Sequence, residues 1–378
     1  MTELRQAQVA NRKRLVRENK PGYTALDWAY YLSSESNLRK TGFSVNWPNQ
    51  EGNRWQPLGD PPPSGQRWQG PAPAAARAVS RLAKLSGADL VGFCRLDRRW
   101  VYSHWFDERT GKDYPIRFSD ERGYEGYDRP TELEDGTQVI PKEMEYVVVM
   151  IHAMDEEGMA AAPTLTQMAT VSLTYSKISF GTVTVAEFIR GLGYNAIPSA
   201  NCTALNIPLA IDAGFGQLGR HGKLITPQFG PRCRISKVIT DLPLPEGSPI
   251  DFGVTEFCNA CLKCVRKCPA GAISAGEQSY EPVDDCNTGG VLRWQLDGKR
   301  CYEYCSRVGT FCGICIRVCP FNKGKGKVHN VTRWFIKHTR WADPIIVRLD
   351  DVMGYGRLKN AGGFWGSKTV RSNCEPTG

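Results

Sequence analysis

Eight cysteines in the second half of the chain have a spacing that can support redox chemistry. Four form a C-x2-C-x2-C-x3-C-P run within FCNACLKCVRKCPAGAIS at 257–274, and four lie in CYEYCSRVGTFCGICIRVCP at 301–320. They are Cys258, Cys261, Cys264, Cys268, Cys301, Cys312, Cys315 and Cys319. Runs of this kind are typical of bacterial proteins that hold two [4Fe–4S] clusters. The pattern therefore predicts a chain that transfers electrons one at a time.

Two other uses of these cysteines must be weighed. The chain has 14 Cys in all, but disulfide frameworks belong mainly to small secreted domains. Four-Cys zinc sites also use C-x2-C pairs. The C-x2-C-x2-C-x3-C-P spacing fits an iron–sulfur cluster better than either alternative.

The ligands are expected to cross between the two runs. In two-cluster ferredoxins the fourth Cys of each run binds the cluster of the other run. Cluster one should then take Cys258, Cys261, Cys264 and Cys319. Cluster two should take Cys268, Cys312, Cys315 and one upstream Cys, for which we choose Cys301 over Cys305.

The segments before the cysteines must supply the domain that the clusters serve. AAARAVSRLAKLSG predicts a helix, ADLVGFCRL and EYVVVMIHAM predict strands, and 163–193 has a helical pattern that ends at RGLGY. ALNIPLAIDAGFG predicts a further helix, and KLITP and SKVITDLPL predict strands. This mixture predicts an α/β (α+β) fold for the part of the chain before the clusters.

The sequence divides into four regions. We expect an N-terminal extension at 1–80 that wraps the core, and a cofactor-binding α/β domain at 81–250. A two-[4Fe–4S] ferredoxin-like domain is expected at 251–322, and a C-terminal tail at 323–378 that closes over the core. One amphipathic helix is predicted at about 331–352 in this tail.

Composition and charge narrow the functional classes. Hydrophobic residues make up 41% and charged residues 23%, which is ordinary for a globular protein. No run of about 18 apolar residues is present, so no membrane-spanning helix is expected. The formal net charge is +9 with scattered basic residues. We interpret most of these as solvated surface and a nucleic-acid patch as the less favoured alternative.

A long α/β region before two clusters suggests a catalytic cofactor, for which flavin, haem and corrinoid are candidates. No G-x-G-x-x-G motif follows a predicted strand. The glycine-rich run DAGFGQLGRHG at 212–222 could approach a phosphate or a macrocycle, or could simply end a helix. Its candidate cofactor-binding residues are Gly214, Gly216, Gly219, Arg220 and His221. No His has the surrounding pattern of a corrinoid axial ligand, so a bound corrinoid would have no His on its lower face.

At this point the sequence resembles the corrinoid- and iron–sulfur-dependent reductive dehalogenases, from about 84 to 322 and in the GYG-containing tail. The resemblance is carried by GADLVGFCRLDRRWVYSH at 87–104, FIRGLGYNAIPSAN at 188–201 and AGFGQLGRHGKLITPQFGPRCRISKVITDLPL at 213–244, and by FGVTEFCNACLKCVRKCPAGAIS at 252–274. It implies an oxidoreductase with a nitroreductase-like domain that binds base-off cobalamin, followed by the two-cluster domain.

The resemblance also implies roles for individual residues. Tyr175 matches a proton-donating Tyr, and Arg234 matches an Arg that stabilises its anion. Asn201 matches a polar residue of the substrate pocket, and Trp100 is expected to line the same pocket. Each of these residues also has an ordinary structural interpretation. Tyr175 and Trp100 could be packing residues, and Arg234 could be a surface residue at a strand edge. Asn201 could be a turn residue.

The implied activity is removal of halide from a small organohalide, of unspecified identity, with electrons from a low-potential donor, as in organohalide respiration. A small membrane-anchor subunit and a homodimer are compatible with it, and no nucleic acid is expected. No twin-arginine pair stands in the first 20 residues of the given sequence, so the expected location depends on whether an export leader was removed. The chain is expected at the outer face of the cytoplasmic membrane if an export leader was removed, and in the cytoplasm otherwise.

Two alternatives stay open at this stage. An epoxyqueuosine reductase-like tRNA-modifying enzyme has the same cofactors, but uses an Asp as proton donor and carries helical repeats after its clusters. Few residues follow Cys319 here, and the Tyr and Arg pair favours dehalogenation. A pure electron-transfer protein would bind no corrinoid.

Overall fold

The computed structural model describes residues 2–24, 27–28, 55, 67–107, 111–323, 327–359 and 361–366. Much of the predicted N-terminal extension, at 25–26, 29–54 and 56–66, lies outside these residues.

The helices are α1 Thr2–Arg17, α2 Ala72–Leu85, α3 Glu156–Ala160, α4 Leu165–Gly191, α5 Asn206–Asp212, α6 Val254–Cys261, α7 Lys263–Arg266, α8 Gly298–Val308, α9 Ile314–Val318, α10 Lys327–His338, α11 Asp343–Val352 and α12 Gly362–Trp365. The strands are β1 Leu90–Arg95, β2 His104–Asp107, β3 Lys112–Phe118, β4 Thr131–Glu132, β5 Gln138–Ile140, β6 Tyr146–Ala153, β7 Ala196–Ser199, β8 Gln217–Leu218, β9 Leu224–Ile225 and β10 Cys233–Thr240.

A four-stranded antiparallel sheet in the order β1-β6-β10-β7 forms the centre of the α/β region. Successive side chains of a strand point to opposite faces. On β6, Val148 and Met150 join the core shared with α2 and α4, whereas Val147, Val149 and Ile151 join the core shared with α5. This explains why the central strand is apolar on both faces, as the sequence pattern predicted.

A second sheet in the order β2-β3-β5-β4 lies on the α5 side of the central sheet. Its strands β3 and β5 are parallel, whereas its other two pairs are antiparallel. Ile116 of β3 and Ile140 of β5 are buried in the same core as the central sheet. Sequence analysis did not predict these strands, because they are short and mostly polar.

Helix α4 positions the candidate site and is 27 residues long. The helical pattern at 163–193 predicted it, and the structure confirms it. It packs against β7, β10 and α2. Two of its buried threonines bond within the helix: Thr170 Oγ1 donates to the Thr166 carbonyl and Thr174 Oγ1 donates to the Thr170 carbonyl, each at 2.9 Å. These bonds satisfy hydroxyl groups that would otherwise be buried without a partner.

The cysteine-rich region consists of short helices joined by tight turns. Leu262, between α6 and α7, has φ of +48°, and Gly313 before α9 has φ of +65°. Helix α1 packs against α8. Asn11 Nδ2 donates to the Ser306 carbonyl at 2.8 Å, and Arg12 Nε donates to the Gly309 carbonyl at 2.9 Å. The described start of the N-terminal extension therefore lies on the cysteine-rich region, while the domain boundaries themselves stay predictions.

The C-terminal region corrects one prediction. The single helix expected at about 331–352 is wrong, since α10 ends at His338 and α11 begins at Asp343. Pro344 lies in the first turn of α11. Proline lacks an N–H and clashes with the preceding helical turn, so it starts a helix readily and cannot continue one. Across the described part of the chain, no helix combines the length and apolar character needed to cross a membrane.

Candidate active site and cysteine groups

Tyr175 lies near the middle of α4 and is only partly buried. On one side it packs against Ile178, Val183 and Ala200. On another it packs against the buried cluster of Met154, Met159, Val171 and Ile316. The aromatic ring is thus held by apolar contacts, which leaves the hydroxyl as its chemically active end.

The hydroxyl of Tyr175 is bonded by Asn201, which lies in the loop after β7. Asn201 Nδ2 donates to the Tyr175 hydroxyl oxygen at 2.9 Å. Asn201 is itself oriented by Asn206 at the start of α5, whose Nδ2 donates to Asn201 Oδ1 at 3.2 Å. Because Asn201 fills an acceptor position of the phenol oxygen, the O–H of Tyr175 stays available to donate.

Arg234 on β10 completes the group. Its guanidinium carbon lies 5.3 Å from the centroid of the Tyr175 ring. Its Nε is buried and has no hydrogen-bond partner among the described residues. The packing of α4 against β7 and β10 explains why residues far apart in sequence meet here. The structure therefore brings together Tyr175, Asn201 and Arg234, which the sequence analysis selected.

Lys237 of β10 is hydrogen-bonded to the segment that carries Asn201 and Asn206. Sequence analysis did not identify this residue. Its side chain is fully buried, and Nζ donates to the Ala200 carbonyl at 2.8 Å, to the Cys202 carbonyl at 3.0 Å and to Asn206 Oδ1 at 2.8 Å. Burial lowers the pKa of Lys237 to about 7. A Lys within the apolar strand RISKVITDL was the signal in the sequence, because a buried cation needs several acceptors.

Trp100 occupies a different place. It ends a short 3-10 turn at Arg98–Trp100 and packs against the core of the central and second sheets. Arg99 lies over its ring at 5.6 Å from the centroid. The contacts described for Trp100 do not join it to Tyr175, and its role in a substrate pocket stays a prediction.

The first cysteine group contains Cys258, Cys261, Cys264 and Cys319. These four side chains line one cavity together with Arg220 and His221. Burial raises the pKa of Cys319 well above its usual range, and the neighbouring Cys258, Cys261 and Cys264 raise it further. Buried thiols of this kind stay protonated unless a metal replaces the proton. The fourth thiol of the cavity comes from the other run; that the four bind one cluster stays a prediction.

The second cysteine group contains Cys268, Cys301, Cys312 and Cys315. Burial raises the pKa of Cys312 to about 12, with further contributions from Cys315, Cys301 and Cys268. Burial also raises the pKa of Cys315, whereas Lys223 lowers it. Here Cys268 of the first run lies with thiols of the second run.

Cys305 lies beside this second group and forms a hydrogen bond with Cys301, a member of the group. That bond lowers the pKa of Cys301 to about 6 and raises the pKa of Cys305. Cys301 interacts electrostatically with both Cys312 and Cys315. This arrangement supports Cys301 as the ligand, which stays a prediction.

The glycine-rich run lies against the protein's own chain. A Cβ on Gly216 would be 2.0 Å from the Ile225 carbonyl oxygen, one on Gly214 would be 2.8 Å from the Ser248 carbonyl oxygen, and one on Gly219 would be 2.6 Å from Ile225 Cδ1. These close approaches explain the glycines without a bound molecule. Their role in cofactor binding stays a prediction.

Arg220 and His221 lie beside the first cysteine group. Arg220 Nε donates to the Cys258 carbonyl at 3.1 Å, and its Nη1 donates to the carbonyls of Ser274 and Gly276. His221 is buried, which lowers its pKa to about 3. Their predicted contact with a corrinoid is untested, and the structure places both against thiols.

The two cysteine groups lie next to each other, and one of them lies close to Tyr175. Cys264 of the first group interacts electrostatically with Cys315 of the second. Cys315 in turn packs against the buried cluster of Met154, Met159, Val171 and Ile316 that also contacts Tyr175. The second group is therefore the one adjacent to the candidate proton donor.

The residues present fit iron–sulfur clusters in number and in type. Two sets of four thiols match the ligands of two [4Fe–4S] clusters. Within the described ranges, no three His, Cys, Asp or Glu side chains are already arranged to hold a metal ion. The ligand sets therefore rest on the grouping of the thiols and on their spacing in the sequence.

A phenol with an amide and a guanidinium beside it, next to two sets of four thiols, is an arrangement typical of oxidoreductases. The comparisons with known proteins then place the chain in the reductive dehalogenase family. A family model described as a reductive dehalogenase subunit matches residues 121–244. The tetrachloroethene reductive dehalogenase of Sulfurospirillum multivorans is 40% identical over 300 residues, which cover 77% of this chain and 58% of that protein.

The fold of the chain is also similar to that of solved reductive dehalogenase structures. A reductive dehalogenase structure described in terms of B12-dependent dehalogenation superposes with a TM-score of 0.61 at 25% identity, over 88% of this chain and 42% of that chain. The chain thus spans somewhat more than half of the curated relative and less than half of this structure. Epoxyqueuosine reductase of Bacillus anthracis is 32% identical over 127 residues, only 30% of this chain and 28% of that protein. The wider match favours the dehalogenases.

Proposed function

We propose that this protein removes halide reductively from a small organohalide, with Tyr175 as the proton donor. The observation that carries the proposal is the contact of Tyr175 with Asn201 and Arg234, beside the second cysteine group. Replacing a carbon–halogen bond by a carbon–hydrogen bond consumes two electrons and one proton. The site offers a proton donor and, through the thiol groups, places for clusters that carry the electrons.

The eight cysteines would hold the two [4Fe–4S] clusters, which deliver electrons singly. A base-off cobalamin, when bound, would supply the electrons to the carbon–halogen bond; this part of the proposal rests on the relatives. The unpartnered Nε of Arg234 is a buried donor available at such a site.

The chain's own residues handle the proton. The O–H of Tyr175 gives its proton to the carbon that loses the halide, and the O–H bond electrons stay on the phenolate. Arg234 stabilises that phenolate, since a guanidinium remains charged even when buried. Asn201 keeps the oxygen oriented through its bond of 2.9 Å, and Lys237 holds the loop that carries Asn201.

The test is a halide-release assay of the reconstituted protein with a low-potential electron donor and a panel of chlorinated and brominated compounds. The same preparation is assayed for reduction of epoxyqueuosine in tRNA. Halide release without tRNA turnover supports the proposal. Turnover of the tRNA alone contradicts it and favours the second family. Reconstituted protein that binds clusters but no cobalt favours a pure electron-transfer protein.

Partners and location are part of the proposal. A low-potential donor must supply the electrons, and a small membrane-anchor subunit or a second copy of the chain would be compatible with the relatives. An exported form would work at the outer face of the cytoplasmic membrane, and a form without a leader in the cytoplasm.

A further inference from the structure

His221 lies in the turn between β8 and β9 and is almost fully buried, with 2% of its surface exposed. Its side chain lines the same cavity as Cys258, Cys261, Cys264 and Cys319. The mechanism above does not use it. Its place beside four thiols raises the question of what its ring can donate to them.

The hydrogen bonds of His221 define which ring nitrogen carries the proton. The backbone N–H of Lys223 donates to Nδ1 at 3.2 Å. A nitrogen that accepts a hydrogen bond has a free lone pair, so Nδ1 carries no proton and the neutral ring must carry it on Nε2. Nε2 is therefore an N–H donor, and it is buried without a hydrogen-bond partner among the described residues.

A buried donor without an acceptor is unfavourable, so Nε2–H needs an acceptor in the cavity that it lines. The sulfur atoms of a cluster held by the four thiols would be acceptors at this place. We infer that His221 Nε2–H donates a hydrogen bond to a sulfur of cluster one and thereby raises its reduction potential. This inference rests on the cluster ligands given under the proposed function.

Arg220, the preceding residue, lines the same cavity, but its guanidinium is bonded to other acceptors. Its guanidinium donates to the carbonyls of Cys258, Ser274 and Gly276 and lies over the Trp294 ring at 4.7 Å from the centroid. It thus contributes positive charge near the cluster, while His221 contributes the free N–H.

The sign of the effect follows from charge. Reduction adds one electron to the cluster and makes its sulfurs more negative, so a hydrogen bond to sulfur stabilises the reduced state more than the oxidised one. Hydrogen bonds to the sulfurs are among the factors that set the potential of such clusters. Loss of the His221 donor should therefore make cluster one harder to reduce.

The experiment is a redox titration of the reconstituted protein followed by electron paramagnetic resonance. In His221→Phe, which keeps a ring but removes the N–H, the midpoint potential of cluster one should fall, while that of cluster two and the iron content should not change. In His221→Gln, whose amide keeps an N–H, part of the potential should be restored. His152→Phe is the matched control, because His152 is also buried but has its two nitrogens bonded to Gly87 and Ser236; neither potential should move.

An unchanged potential of cluster one in His221→Phe, at full iron content, would overturn the inference and leave the proposed function intact. Wild-type protein that forms no [4Fe–4S] signals would instead overturn the ligand sets. If His221→Phe loses cluster one, the potential of that cluster cannot be measured in the variant. Wild-type protein labelled with nitrogen-15 histidine is then examined by pulsed electron paramagnetic resonance. A nitrogen coupling to cluster one supports the hydrogen bond, and its absence refutes it.

Discussion

At the scale of single residues, Tyr175 has an unusual combination of apolar packing around its ring and polar contact at its hydroxyl. The Tyr175→Phe variant keeps the packing and removes only the proton donor. Turnover should fall by a factor of at least about 100, the usual contribution of a general acid. Iron and cobalt content should equal those of the wild type, measured by metal analysis beside the halide-release assay. A variant with full activity would disprove the assignment.

Asn206 tests whether the orientation of Asn201 matters. Its side chain accepts from Lys237 and donates to Asn201, so Asn206→Ala removes one link between the buried cation and the catalytic amide. The lost hydrogen bond contributes about 1 kcal/mol, so kcat should fall roughly fivefold, with little change in KM.

Asn195→Ala is the control for that experiment. Asn195 lies just before β7, at the end opposite Asn201, and bonds to Asp128 and Asp241. Its loss should lower stability without lowering kcat. Equal effects of the two variants on kcat would mean that the bond to Asn201 has no specific role.

His152 predicts a pH dependence of stability. Burial lowers its pKa to about 4, with Asp89 raising and Lys177 lowering the value. In the unfolded chain its pKa is about 6.5, so below that pH the unfolded state binds a proton that the folded state does not. Stability from this residue is present above pH 6.5 and is lost as the pH falls towards 4.

The free energy of unfolding is measured in urea at pH 7 and at pH 5. Between these two pH values it should fall by about 2 kcal/mol more in the wild type than in His152→Gln. The comparison between the two proteins removes the contribution of all other titrating groups. Identical pH dependence in both would show that His152 is not kept neutral by the fold.

At the scale of elements, the turn before β8 depends on a close approach of two backbone segments. A Cβ at Gly216 would lie 2.0 Å from the Ile225 carbonyl oxygen, so Gly216→Ala must shift β8 against β9. A loss of about 1–3 kcal/mol in the free energy of unfolding is expected, as for other overpacking changes.

Gly191→Ala is the matched control, because no atom lies within 4 Å of its added Cβ and it is a helical residue of α4. It should be neutral or stabilising by up to about 1 kcal/mol. Urea unfolding of both variants gives the comparison. If Gly216→Ala proves as stable as Gly191→Ala, the close approach does not constrain this turn.

At the scale of the whole molecule, the predicted crossing of ligands would join the two cysteine runs into one unit. Cys268→Ser changes the first run but should remove cluster two, since Cys268 lies with Cys312 and Cys315. Iron should fall from about eight to about four atoms per chain, and cluster one should remain. Cys258→Ser is the comparison, because it should remove cluster one instead. Loss of the same cluster in both variants would refute the crossing.

The sequence by itself determined the parts of this protein whose physical cause is local. Cysteine spacing indicated two ligand sets, since a cluster requires thiolates at short, fixed separations. Apolar runs predicted β6 and β10, and the long helical pattern predicted α4. The family resemblance selected Tyr175, Asn201 and Arg234, which the structure brings together.

Only the tertiary structure decided what depends on contacts between distant segments. Lys237 supports Asn201 because β10 passes beneath the 200–206 loop, and no local pattern shows this. The short strands β2 to β5 exist because they pair with each other. Arg220 and His221 lie against the first cysteine group because the β8–β9 turn packs onto α6, a non-local contact that spacing alone does not encode.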